Sequence, residues 1–395
     1  MGLRREFSSS WFGFQNNGLQ PFSVTDRLIE TTDSSEFTLK SYLKIILLQD
    51  VAMGFISKIL VHAFVTLLPL IAVFVGHNFS VLNLMVWAPL GVVFALIPLI
   101  DKILLSQNIS SNNISDGRTP MQDNIYAVFI VVVQVVIYIG AIWSVTNLDF
   151  SIPAMIAFIV SIFASTIINC GPPGHKLIHG KSIGERFCAA IVLDLILFPS
   201  FKVEHMYHHH KHANTAKDIF NSKMNDPLYQ IVWRSIKFNV VGVWSLQKAV
   251  LIRKNKAFFS RYNYLLTNYA VCAAFLAIAY SLFGLIGVLI YVGISFLTIV
   301  SIFSLSYVEH YGLTDNSGAQ GWSYGGVVTN LIFNNHQIHS NHHKSPGTHH
   351  AELKLEDTDL QYPLNYTAMF VLALIPPLWY RVVNPIITKH RLNNG

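Results

Sequence analysis

Charge is scarce in this chain. Only 12% of its 395 residues are Asp, Glu, Lys or Arg, about half the roughly 25% usual in a globular domain. That level excludes a surface solvated all round. With 52% hydrophobic residues and a mean hydropathy of +0.44, the chain reads as an integral membrane protein with a polar part attached. Cysteine is scarcer still. Cys170, Cys188 and Cys272 are scattered and odd in number, which excludes a disulfide framework and a C-x2-C metal or redox site. Each reads as a small buried hydrophobe. A GxGxxG nucleotide fingerprint is missing, as is a cysteine cluster for iron–sulfur ligation. No polar domain carries a basic stripe interleaved with aromatics, so the net charge of +6 is read as membrane topology, with no nucleic acid as partner. A mixed polar stretch follows Arg4 and Arg5, against a cleavable signal peptide. Glu6 takes the position where N-myristoylation needs Ser or Thr. Without internal repeats or low-complexity tracts, residues 1–395 read as one integral membrane domain, with 1–50 as its N-terminal segment.

What is present begins with apolar runs of the roughly 20 residues a bilayer core requires. They fall at about 53–76, 81–105, 125–146, 152–170, 264–282 and 283–305. The expected fold is therefore all-α and polytopic, with six transmembrane helices paired into three hairpins. The short turns are placed at His77 to Ser80, Thr146 to Ser151, and Phe283-Gly284. A surface helix is expected over Thr38 to Val51. Residues 187–199, interrupted by Asp194, read as an interfacial or re-entrant helix. Tyr366 to Tyr380 is similar and is broken by Pro376-Pro377. Lys and Arg number five in the N-terminal segment, fourteen in 171–263 and five from 307 onward, and none in the three short turns. The positive-inside rule then puts both termini and both long connections in the cytoplasm. In a bacterial cell this means the inner membrane.

Histidine is the residue in excess. His175 and His179 are spaced H-x3-H, His205, His209 and His210 H-x3-H-H, and His339, His342 and His343 H-x2-H-H. On a helix, residues three or four apart share a face, so each segment can aim two or three imidazoles at one point. Eight imidazoles exceed the needs of one tetrahedral ion and suggest two metal ions. Imidazole suits iron, zinc, copper and nickel. Spacing alone leaves His208 and His212 open, and His336 shares a face with His339 and His343. His349 and His350 follow Pro346-Gly347 and read as loop residues. His62, His77 and His390 have no partners in the pattern and read as non-functional, and a lone His310 would ordinarily be structural. The H-E-x-x-H protease motif fails at Lys176, which stands where the general base must be. Glu204, Asp218, Glu309 and Asp101 are candidates to orient ligand rings from behind.

Around these histidines the chain resembles the membrane-bound alkane 1-monooxygenases, within the larger membrane fatty-acid desaturase and hydroxylase group. The likeness runs from about Asp101 to Pro385. It is carried by Pro98-Leu99-Ile100-Asp101, by the stretch from His175 to His210 with Glu185-Arg186-Phe187 and Glu204-His205, by Thr215 and Asp218, by Tyr307 to Leu313 (an E-H-Y-G-L block), by Thr329-Asn330-Leu331, and by Ala373 to Arg381. The resemblance implies six spans, cytoplasmic termini, and a non-haem di-iron site of nine histidines: His175, His179, His205, His209, His210, His310, His339, His342 and His343. The chain departs from the family at Lys176 (Glu), His208 (Gly) and Asn335 (His), and shortens the loop Thr314 to Val328.

The function so implied is hydroxylation of the terminal methyl of an alkane or alkyl chain. It uses O2 and two electrons from a rubredoxin- or ferredoxin-type carrier fed by an NAD(P)H reductase. A lipophilic substrate would enter from the membrane lipid. Fatty acyl desaturation and aromatic-methyl (xylene-type) hydroxylation are the alternatives within the group. A metal transporter or sensor is the alternative outside it, though such proteins place their ionisable ligands inside spans.

Overall fold

The computed structural model describes residues 55–108, 110–113, 118–313 and 319–394. The expected N-terminal segment and its helix at Thr38 to Val51 lie outside the described residues. Among the described residues the only β-pairings are isolated bridges, such as Ser222 with Tyr311 and Ser323 with Ile338. Everything regular is helix, as the composition predicts.

Among the described residues, five helices are long and apolar enough to cross a membrane: α1 Phe55–Asn78, α2 Leu82–Ser106, α3 Pro120–Asn147, α4 Ile152–Ile178 and α8 Tyr264–His310. The last has 47 residues and would reach about 70 Å if straight, more than twice a bilayer core. It is not straight. Gly284 sits at φ 65° and ψ −163°, a conformation essentially open to glycine alone. A straight helix would hold Cys272 and Tyr291 about 28 Å apart. Yet the Cys272 thiol donates to the Asp194 carbonyl and the Tyr291 hydroxyl donates to the neighbouring Leu195 carbonyl. The helix therefore folds back at Gly284, where the Phe283-Gly284 turn was expected. The six apolar runs correspond to these five helices, with α8 in two arms.

Small polar residues tie the bundle together. His62 of α1 contacts the Asn169 side-chain oxygen at 3.1 Å, and Asn169 donates to Gln134 of α3 at 3.1 Å. The other ring nitrogen of His62 lies 3.2 Å from the Ile332 carbonyl. His62 is thus buried with both ring nitrogens against bundle partners, a structural residue. Helix α4 bends at Gly171, where Pro172 and Pro173 interrupt the amide ladder. The bend carries the chain past the expected end of the span and puts His175 and His179 at the helix tip.

Shorter helices close this end of the bundle. Helix α5, Ile183–Leu195, starts with a capping box between Ser182 and Glu185. A helical run over 200–212 is α6. A second, over 228–253, is α7. Helix α9, Val327–Ile332, and α10, His339–Lys344, follow. The apolar stretch near the C-terminus is two helices, Tyr366–Ala373 and Pro376–Asn394, broken where the prolines predict. Trp379 of this block packs on Tyr307, Tyr311 and Tyr362, with ring centroids 5.4, 5.3 and 5.8 Å away. This aromatic core braces the end of α8. Gly312 is at φ 70°, a backbone conformation that favours glycine, and a Cβ there would press on the Ile387 side chain.

Candidate metal centre

The tip of α4, helix α6, the end of α8 and helix α10 converge on two sets of histidines. His175, His179, His205, His210 and His342 form the first. His209, His310, His339 and His343 form the second. Within each set the candidate donor atoms all lie within 4.8 Å of one another. All nine residues singled out from the sequence are in one set or the other. His208, His212, His62, His77 and His390 are in neither.

The sequence segments do not map one-to-one onto the sets. An α-helical register would pair His205 with His209. Residues His205–His209 instead form a π turn, whose extra residue brings positions five apart onto one face. His205 Nε2 therefore meets His210 Nε2 at 2.9 Å, and His209 turns to the second set. In α10, His339 and His343 are four apart and meet at 3.0 Å, while His342 points to the first set. Each set thus draws on three separate stretches of chain.

The contacts inside the sets suit a shared cation. The Nε2 atoms of His179, His205 and His210 form a triangle with sides of 3.1, 2.9 and 3.1 Å. Three ring nitrogens cannot all donate to and accept from each other at once. Donors at right angles about a first-row ion, with bonds of about 2.1 Å, would stand about 3.0 Å apart. In the second set His209, His343, His339 and His310 are linked through Nε2 contacts of 3.2, 3.0 and 3.0 Å. His175 Nε2 and both ring nitrogens of His342 are buried without a hydrogen-bond partner, which is costly unless a ligand satisfies them. The donor chemistry therefore fits two first-row metal ions.

Electrostatics keep the rings in the form that binds metal. Burial, then neighbouring histidines, lowers His179 to about 4 and His210 to about 2. The same causes hold His205, His339, His342 and His343 well below the ordinary imidazole range. Neutral rings offer lone pairs; protonated rings do not. Outer partners select which nitrogen faces inward. Asp218 Oδ2 lies 3.0 Å from His209 Nδ1 and Asn214 Oδ1 lies 3.2 Å from His310 Nδ1, leaving Nε2 of each ring for the set. Burial works against ionisation of Asp218, but His209 and the Phe220 amide hold its carboxyl below the usual range.

The other three carboxylate candidates differ. Glu204 is fully buried with both oxygens unpartnered, and burial, then Asp218, raises it well above the carboxylate range. Asp101 contacts no histidine of the sets. It accepts from the Val328 and Thr329 amides and the Thr329 hydroxyl at the start of α9, so it caps the helix that leads to the third histidine segment. Glu309 lies against His336 and His339, not against its neighbour His310.

The departures from the expected motifs also have partners. Lys176 donates to buried Asp123 at 2.7 Å, and His349 Nε2 lies 2.9 Å from the other oxygen of that carboxylate. His208 packs on Phe238 and His212. Asn335 donates to the His350 carbonyl at 3.0 Å. That bond helps hold a residue missed in the sequence: His350 is buried, its ring 5.3 Å from that of His342, with both nitrogens unpartnered. It does follow the helix break at Pro346-Gly347, but the loop turns back to the centre, which spacing cannot reveal.

A cavity of about 20 Å³ lies between the two sets, room for about one water molecule. His175 and His205 of the first set and His209 and His339 of the second line it, with Phe201, Ile302 and Leu305 as an apolar wall and Ser306 and Glu309 beside them.

A family model described as fatty acid desaturase matches residues 150–370. The chain is similar to alkane 1-monooxygenase 2 of Alcanivorax borkumensis, 32% identical over 80% of this chain and 86% of that protein. It is similar to alkane 1-monooxygenase 2 of Pseudomonas aeruginosa, 30% identical over 77% of this chain and 84% of that one. Alkane 1-monooxygenase 1 of the same organism is 32% identical over 55% of this chain and 59% of its own length.

Proposed function

Because the chain belongs to the alkane 1-monooxygenase family of fatty acid desaturase-type membrane oxidoreductases, we propose that it hydroxylates the terminal methyl of an alkane or alkyl chain at two iron ions held by its nine histidines. One observation carries this reading: two sets of closely spaced imidazoles flank a small cavity with one apolar wall. Bound iron supplies O2 activation and cleavage of the C–H bond. The chain's own part is positional. His175, His179, His205, His210 and His342 would hold one ion, and His209, His310, His339 and His343 the other. Asp218 and Asn214 fix two of those rings. Phe201, Ile302 and Leu305 exclude water and would receive the end of an alkyl chain arriving from the lipid side.

Purified protein is expected to carry about two irons per chain and to convert a medium-chain alkane to its terminal alcohol when supplied with O2 and electrons. A product screen over alkanes, alkylbenzenes and fatty acids decides the substrate. An alkene as the product, or protein that turns over without iron, would reject the reading.

We further propose six crossings, with the centre on the cytoplasmic side and electrons delivered there by a rubredoxin- or ferredoxin-type carrier served by an NAD(P)H reductase. Between Asp226 and Glu309 there is no acidic residue, while Arg234, Lys237, Lys248, Arg253, Lys254, Lys256 and Arg261 are present. Exposed Tyr229, Trp233, Phe259 and Tyr262 lie among them. That mixture suits an anionic inner-leaflet surface and would steer an acidic carrier. Inside-out vesicles given soluble carrier should turn over and right-side-out vesicles should not, with the rate falling as salt rises. Equal activity from both orientations, or indifference to salt, counts against it.

A further inference from the structure

His336 is outside both sets, yet it joins them. Its Nδ1 lies 2.9 Å from His175 Nδ1 in the first set. Its Nε2 lies 2.7 Å from Glu309 Oε1, and the other oxygen of that carboxylate is 3.6 Å from His339 Nε2 in the second set. The side chains of His336, His175 and Glu309 are all buried. We infer that His336 is a positioning residue that fixes the tautomer of His175 and so makes His175 Nε2 a metal donor. The inference rests on the proposed histidine ligation.

The argument is one of proton bookkeeping. Glu309 Oε1 is buried without an aligned hydrogen-bond donor, and His336 Nε2 lies 2.7 Å from it; a lone pair there would repel the carboxylate oxygen, so that nitrogen carries the hydrogen. A neutral ring then has its lone pair on Nδ1. The 2.9 Å contact with His175 Nδ1 needs one donor and one acceptor. His336 Nδ1 is the acceptor, so His175 Nδ1 must donate. One hydrogen on Nδ1 leaves His175 Nε2 bare, and Nε2 is the buried atom of that ring with no partner of its own. Reversing the chain would put a hydrogen on His175 Nε2 and remove it from the first set. Asp218 does for His209 in one step what Glu309 does for His175 in two.

Side-chain shape provides a discriminating test. Asparagine places an oxygen near the position of the histidine Nδ1, where it can accept from His175. Glutamine reaches the Nε2 position, beside Glu309, and leaves His175 without its acceptor. Leucine fills the space and accepts nothing. Wild-type, His336→Asn, His336→Gln and His336→Leu proteins would be purified in detergent, checked for a monodisperse elution profile, and titrated with ferrous iron under anaerobic conditions. Iron content and Mössbauer spectra are the readouts. His336→Asn should retain two irons per chain. His336→Gln and His336→Leu should bind one iron as before and the other roughly 10–100-fold more weakly, the cost typical of losing an outer partner. The spectral change should be confined to one of two sites.

Equal iron affinity in all four proteins, or Gln matching Asn, would overturn the assignment. So would three irons per wild-type chain, because Glu309, His336 and His339 would then be ligands themselves. If wild-type protein binds no iron at all, the proposed ligation fails instead, and the two failures are distinguishable.

Discussion

Replacing His209 or His342 with alanine is expected to abolish turnover and to remove one iron from the centre, while His208→Ala keeps both. His209 supplies one of four donors to its set, and His342 one of five to the other. Loss of an outer partner alone costs roughly 10–100-fold in metal affinity, so loss of a donor should cost at least that. His209→Ala has a second penalty. Asp218 is buried, and its carboxylate accepts from the His209 ring at 3.0 Å; a buried carboxylate left without that hydrogen bond is destabilising. His342→Ala should therefore lose iron with less loss of fold stability than His209→Ala. His208 points at Phe238 and His212, so its loss touches neither set. Iron content, turnover and thermal unfolding of the three variants measure this together. If His208→Ala loses iron as His209→Ala does, the π-turn register of α6 is wrong.

That register marks the limit of what the residues reveal before the fold is known. The positions of the nine histidines are legible because clusters with helical spacing recur at three distant places, and His310 through the E-H-Y-G-L block at the end of α8. The partition into two sets is not legible. It depends on a single extra residue in one turn of α6, which switches His205 from His209 to His210 as its neighbour. Apolar runs are legible because a bilayer dictates their length. The turn at Gly284 is legible too, since only glycine takes that conformation without strain. Long-range placement of single side chains is not. Asp101 is a helix cap because α9 happens to start beside it. His350 is buried because a loop closes over His342. His336 shares a helix face with His339 in the sequence, but its contact with His175 comes from another segment. Such contacts follow from packing, and packing has no local signature.

Removing the metal should make the protein unusually labile to mild acid. The sign follows from the direction of the shifts. An unfolded histidine titrates near 6.5. In the fold His179 is lowered to about 4 and His210 to about 2, and His205, His339, His342 and His343 also lie well below their ordinary value. Above pH 6.5 the rings are neutral in both states and acidity has no leverage. As pH falls through 6.5 the unfolded chain takes up protons that the folded chain cannot, and stability drops. For His179 the loss continues to about pH 4, and for His210 to about pH 2. Each such ring costs roughly 1 kcal/mol between pH 6 and pH 5. Six together approach the roughly 5–15 kcal/mol that holds a typical domain folded. Bound iron competes with protons for the same lone pairs, so metal-loaded protein should withstand acid to a lower pH than chelator-treated protein. Thermal unfolding of both forms in detergent, stepped from pH 7.5 to pH 5, gives the comparison. The chelated form should lose most of its stability within that range, with several protons taken up per chain on unfolding. A melting temperature for the chelated form that stays level from pH 7.5 to pH 5 would mean that these rings are not held neutral against one another, and the electrostatic basis for two closely spaced metal ions would go with it.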